Sequence, residues 1–278
     1  MFRIRTLTVT QGLQWLSCGL RFWSKRPLEG TVPIAVFMLI AGLLRLVPVI
    51  GDVLLLLILP TVAASYLIHV HILSAASGAR RVTPGDARAK LERHIKGIRA
   101  ALFGAWSKPE NIFPLALIGF AMVFLGVLTY ALYTLVGGQG VVSPLGFYEL
   151  SATQMLRVIL AHILASLVWL IVTALLFWTL PLFTIRDVPL FSALRLNLRA
   201  LLRNVRPLGM YLLILASGFL PAAILSIESR LAGYLLLWLS GTAIVCLFGF
   251  SAYCSFRLVF AEQAPSQRPS AASATRRV

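Results

Sequence analysis

Acidic residues are scarce in this 278-residue chain: 9 Asp and Glu stand against 25 Lys and Arg. Charged residues of both signs make up only 12%, where a soluble domain carries about 25%. That leaves too little polar surface for a water-soluble fold. A soluble nucleic-acid binder, which the formal net charge of +16 would otherwise suggest, is excluded on the same ground. Disorder is excluded too, because disordered chains are poor in apolar residues. Cysteine is nearly missing, with 3 in all. Cys18 stands alone. Cys246 and Cys254 share one apolar run, separated by about 12 Å of helical rise, too far for a disulfide. No CxxC occurs, so no disulfide framework is expected.

Chemistry-bearing patterns are missing as well. No carboxylate falls near the middle of an apolar run, where proton-coupled transporters place their relays. The run Gly137-Gly138-Gln139-Gly140 lacks the Lys-Ser/Thr of a phosphate loop. His69 and His71, at i and i+2, point roughly 200° apart on a helix and do not suit one metal; they read as interfacial polar residues. His162 and Asp187 fall at opposite ends of one apolar segment and make no triad. The chain is therefore expected to be a non-enzyme, with no catalytic, cofactor or metal site.

What the chain has is apolar length. Hydrophobic residues make up 59% and the mean hydropathy is +0.89. A hydrocarbon core about 30 Å thick needs about 20 apolar residues in a helix. Six segments qualify: 31–49, 53–73, 112–136, 158–183, 208–227 and 231–259. Stretches such as 53–59 do not alternate, so membrane β-strands are excluded. The fold class expected is all-α integral membrane, with six transmembrane helices arranged as three hairpins. The first long run, beginning near Thr31, lacks a small-residue cleavage site and reads as a retained span.

The bases sort by position. Twenty-two of the 25 Lys and Arg lie before the first segment, between segments two and three, between four and five, or at the end of the sixth and in the tail. Only Arg45, Arg157 and Arg230 lie on the other side. The positive-inside rule then puts both termini in the cytoplasm of a bacterial inner membrane. Arg45 and Asp52 are placed to pair across the first turn. Arg157 and His162 suit an outer-face anchor. Pro60 and Pro221 fall inside segments and read as tolerated membrane prolines.

Each hairpin is preceded by an amphipathic stretch that ends in a base and a proline. Trp23 and Pro27 close the first, Trp106 and Pro109 the second, and Arg206 and Pro207 the third. Proline disfavours helix in the residue before it and suits a first helical turn. It therefore separates a helix lying on the membrane from one entering it, and the tryptophans suit the headgroup layer. One polytopic domain over 1–260 follows, with repeats at 10–75, 84–183 and 190–260. A disordered cytoplasmic tail is expected at 261–278. In the first stretch Gln14, Ser17, Arg21, Ser24 and Lys25 share one polar arc. The second opens at Thr83-Pro84-Gly85-Asp86, with an apolar line through Ala87, Leu91, Ile95, Ile98 and Leu102. The third carries Arg195, Arg199 and Arg203 as one basic stripe, with Leu194, Leu198, Leu201 and Val205 away from it.

Two spaced patterns stand out: Gly12-x-x-Trp15-x-x-x-Gly19-x-x-x-Trp23-x-x-x-Pro27, and Ala193-Leu194-x-x-Asn197-x-x-Ala200-x-x-x-Asn204-x-x-Pro207-x-x-x-Tyr211. With Val47-Pro48-x-x-Gly51 and Leu59-Pro60, they make the chain resemble the multi-pass inner-membrane proteins of proteobacteria that open on a Trp-rich, Gly-spaced helix. That resemblance implies the topology and carries no activity.

The function expected is a scaffold or interaction protein holding anionic lipid, with no nucleic-acid partner. Arg195, Arg199 and Arg203 form its first patch; Arg88, Lys96 and Arg99 form its second. The same charges also suffice to set topology by themselves. A transporter or channel for a small or apolar solute is the alternative.

Overall fold

The computed structural model describes residues 4–47, 49–76, 87–137, 152–218 and 230–260. These residues are mostly helical, with no strand among them. The helices are α1 (Val9–Lys25), α2 (Pro27–Leu44), α3 (Ile50–Ala76), α4 (Ala87–Phe103), α5 (Pro109–Gly137), α6 (Ala152–Phe177), α7 (Thr179–Ile185), α8 (Leu190–Arg203), α9 (Val205–Ser217) and α10 (Arg230–Val259). A short 3-10 turn, Gly104–Ser107, separates α4 from α5.

Five helical stretches are long and apolar enough to cross a membrane: Pro27–Leu44, Ile50–Ala75, Pro109–Val136, Leu156–Ile185 and Trp238–Val259. The expected fifth segment, at 208–227, begins within α9. The 13 residues of α9 rise about 20 Å, short of a bilayer core. The remainder of the segment, with Pro221, lies outside the described residues. So do the 83–86 opening and the 261–278 tail. Residues 158–183 are not one unbroken helix as expected. The chain breaks at Trp178 (φ −106, ψ −12) and restarts as α7, for a reason given below.

The amphipathic stretches end close to their expected places. Pro27 and Pro109 are the first residues of α2 and α5. In the third unit the break falls earlier, at Asn204 (φ −126, ψ 26). Pro207 sits inside the first turn of α9, where a missing N–H leaves no helical hydrogen bond unmade. The short turn between α2 and α3 is closed by the expected Arg45–Asp52 ion pair at 3.5 Å. Val49 adopts φ 66 there, a left-handed conformation that strains a β-branched residue.

Burial concentrates on α7 and the second half of α10. Of the apolar windows, 61% of Trp238–Val259 is buried, against 17% of Pro109–Val136 and 11% of Leu156–Ile185. The first helix is capped by Thr8, whose hydroxyl accepts from the Gln11 N–H while the Gln11 side chain accepts from the Thr8 N–H. This reciprocal box satisfies two otherwise unpaired donors. The polar arc of α1 faces outward, as its pattern predicts. Its other face buries Gly12, Trp15 and Gly19. A Cβ on Gly12 would stand 2.6 Å from the Pro207 side chain, and one on Gly19 2.7–2.9 Å from Ser251. Trp15, fully buried, meets Trp178 and Tyr211 edge-on at centroid distances of 6.0 and 5.7 Å.

That packing overturns one expectation. Cys18 does not stand alone: it forms a disulfide with Cys254 across 236 residues, their Cα atoms 6.3 Å apart. Spacing along the chain tests only Cys246 against Cys254. The true pair is created by α1 lying on α10, and Cys246 is left as the buried free thiol.

Gly19→Ala must push α1 off the Ser251 backbone, which costs about 1–3 kcal/mol, as overpacking does. Gly42→Ala meets nothing within 4 Å and gains helix propensity of up to about 1 kcal/mol. Thermal unfolding in detergent should therefore show a lower Tm for the first and an equal or higher Tm for the second. Equal behaviour of the two would contradict the close approach.

Candidate anionic-lipid interface

The eighth helix presents three faces. Ala193, Asn197 and Ala200 are fully buried. Roughly opposite, Phe191, Leu198, Leu202 and Val205 are exposed, although leucines in this stretch were expected to turn away from the arginines together. Arg195, Arg199 and Arg203 are exposed beside them. At 100° per residue the exposed apolar line and the arginine line are neighbours on the wheel. No ion pair among the described residues involves these three arginines.

Two asparagines explain why α8 sits on the bundle this way. The Asn197 side-chain amide donates to the Ala174 and Leu175 carbonyls at 3.1 and 2.6 Å, and its oxygen accepts from the Trp178 N–H at 3.3 Å. These are the backbone groups exposed where α6 breaks. Asn204 donates to the Ala200 and Arg5 carbonyls and accepts from the Leu7 N–H at 2.8 Å. It thereby ties the segment before α1 to the α8–α9 break. Both residues are fully buried, and each satisfies groups whose desolvation would otherwise be costly.

The second expected patch is different. Lys96 pairs with Glu92 at 2.8 Å, and its ammonium holds that exposed carboxyl below the usual range. Arg99 is exposed; the Arg88 side chain lies outside the described residues. The packed face of α4 is not the expected apolar line either. Ile95 is exposed, whereas Gly97 faces His69 and Ala101 and Ala105 are buried. Small residues allow α4 to lie close on α3, and the Ser65 hydroxyl accepts from the Ala105 N–H at 2.9 Å. The two basic groups are not brought together: α4 packs on α2 and α3, and α8 on α6, α7 and α9.

The interface tryptophans divide. Trp106 is half exposed and meets Phe103 edge-on. Trp23 instead turns inward, its Nε1–H donating to the Thr31 hydroxyl at 2.9 Å across the Arg26 break. Of the two histidines, only His69 departs from the expected interfacial position. His69 is buried and bonded to the Glu29 carbonyl at 3.0 Å; His71 contacts the Tyr253 hydroxyl at 2.9 Å. No group of three potential metal ligands occurs among the described residues. No family model, curated protein or solved structure matches the chain.

Sequence reasoning singled out the residues of the seam without seeing their use. The Ala193–Tyr211 pattern is the buried face of α8 and α9. An amide at mid-face of an otherwise apolar stripe was the available signal, because burying it requires partners. Asn197→Leu leaves the Trp178 N–H and two carbonyls without their partner, at about 1–3 kcal/mol for each group left buried and unbonded. It should lower the Tm in detergent well below that of Gln14→Ala on the outward face of α1. A Tm within a degree of wild type would contradict the role assigned to Asn197.

Proposed function

We propose that the chain is a non-enzymatic scaffold of the bacterial inner membrane, inserted as hairpins with both termini cytoplasmic, and that it grips anionic lipid through α8. One observation carries this reading. An arginine line runs beside an exposed apolar line on a helix whose third face is locked to the bundle. A helix of this kind suits the headgroup layer, with apolar side chains entering the acyl boundary and guanidinium groups meeting phosphates. Topology alone requires positive charge near span ends but no particular register. Arg195, Arg199 and Arg203 keep one register over about two turns, beside an apolar strip.

The orientation has its own readout. On this reading Cys18 and Cys254 face the cytoplasm, where thiols are kept reduced. In cells they would then stand as two thiols at bonding distance and close on oxidation after lysis. Alkylating intact cells with a permeant maleimide should modify Cys18, the exposed member of the pair, and so prevent the bond. A pair already bonded in cells, and dependent on the periplasmic oxidation machinery, would reverse the orientation.

Each base near an anionic surface contributes about 1 kcal/mol. Removing three should weaken retention of phosphatidylglycerol on the order of a hundredfold, and reversing them (R195E, R199E, R203E) by no less. Native mass spectrometry of the purified protein measures this directly. Unchanged lipid retention by the triple variant would refute the lipid-gripping role of α8.

A further inference from the structure

The two sulfurs that α1 and α10 bring together are not equivalent. Cys18 is exposed, at the edge of the polar arc of α1. Arg21 follows it by about one helical turn and lies on the same side of the helix. That arginine is exposed as well, and no ion pair among the described residues involves it. A neighbouring cation favours the thiolate, the form of cysteine that reacts. Cys254 is buried, within the unbroken buried run 249–256 of α10. An oxidant arriving from water therefore meets Cys18 first.

Behind Cys18 the second sulfur is already in place. The Cα atoms of the pair, 6.3 Å apart, lie within the range a disulfide spans, so closure requires no movement of either helix. The third cysteine cannot compete. Cys246 is fully buried about two turns earlier on α10, its Sγ 3.6 Å from the Gly30 carbonyl of α2. An accessible thiol beside a cation, backed by a second thiol at bonding distance, is the arrangement that oxidation by peroxide requires.

We propose that Cys18 and Cys254 form a reactive site for hydrogen peroxide. The Cys18 thiolate attacks one peroxide oxygen. A sulfur–oxygen bond forms, the oxygen–oxygen bond breaks, and the departing hydroxide takes a proton and leaves as water. Sulfur is thereby oxidised to sulfenic acid and the peroxide is reduced. The Cys254 sulfur then attacks Cys18 Sγ. Its thiol proton joins the departing hydroxide, a second water leaves, and the disulfide remains. Because the partner is held in position, closure outruns further oxidation to sulfinic acid. A soluble dithiol reopens the bond by attacking the exposed Cys18 sulfur. Peroxide thus makes a reversible covalent tie between α1 and α10 with no change of fold. The site draws on the orientation proposed above in one respect: a reducing cytoplasm leaves both thiols free to meet peroxide. Its chemistry belongs to the chain itself and is read on purified protein, so the two readings fail separately.

The test uses the full-length protein in nanodiscs, reduced, freed of reductant under nitrogen, and treated with hydrogen peroxide at neutral pH. Dimedone is present to trap sulfenic acid, and peptide masses report each cysteine. Wild type should form the Cys18–Cys254 bond with little dimedone adduct. Cys254→Ser should accumulate the adduct on Cys18. Cys18→Ser should leave Cys254 unmodified, and Cys246→Ala should behave as wild type. Glutathione supplies the rate of an ordinary exposed thiol. Tenfold more thiolate, partly offset by its lower nucleophilicity, makes wild type react about threefold faster than glutathione. Arg21→Glu should remove that advantage and still form the bond. No adduct on Cys18 in the Cys254→Ser protein would overturn the proposal. So would oxidation of Cys254 in the Cys18→Ser protein at the wild-type rate, or a wild type no faster than glutathione.

Discussion

The contact on which the rest of the structure depends is the approach of α1 to α9 and α10 along Gly12 and Gly19. With side chains at neither position, the α1 backbone lies against Pro207 and the Ser251 backbone. Trp15, held between those glycines, is then driven into the space bounded by Trp178, Tyr211 and Phe177. Dispersion and apolar burial of several aromatic rings follow from the absence of two β-carbons. The Cys18–Cys254 pairing is a consequence of the same approach. So is the Leu7 N–H reaching Asn204.

Around that seam the helices are joined by polar contacts at places where their backbones break. Asn197 satisfies the break between α6 and α7, and Asn204 the break between α8 and α9. The Tyr211 hydroxyl, 2.6 Å from that of Ser251, donates to it, because Ser251 gives its own proton to the carbonyls of the preceding turn. Trp178 Nε1 donates to Ser255 at 3.0 Å. In an apolar setting an unpaired donor is expensive and a paired one restricts geometry. These joints hold α8 by one face, and that is why its opposite side presents arginines and apolar residues in a fixed register. The link from packing to the proposed function runs through this constraint.

Much of this was legible in the sequence, and the remainder has identifiable causes. Apolar length gave five of the six expected segments as long apolar helices, because a bilayer sets a length scale that a sequence can be measured against. Pro27 and Pro109 marked helix starts because proline acts locally. The Arg45–Asp52 pair was legible because the turn between them is short. The Cys18–Cys254 pair was not, since it joins residues 236 apart and depends on a helix crossing. The break at Trp178 was hidden for the same reason: the side chain that satisfies it comes from a different helix. Trp23 looked like an interface anchor because composition reports amphipathic character but not which face meets protein. The arginine stripe of α8 was visible from periodicity alone, and the apolar strip beside it emerged only once its buried face was known.

The central claim is that α1 is an integral part of the helical bundle rather than a helix resting loosely on the membrane. It is tested most directly by electron paramagnetic resonance in lipid nanodiscs, with nitroxide labels on the exposed positions Ser17 of α1 and Leu258 of α10. A single narrow distance distribution, unchanged between anionic and neutral lipid, is the result this account predicts. A broad distribution that shifts with lipid charge would show α1 following the bilayer instead of α10, and would contradict it.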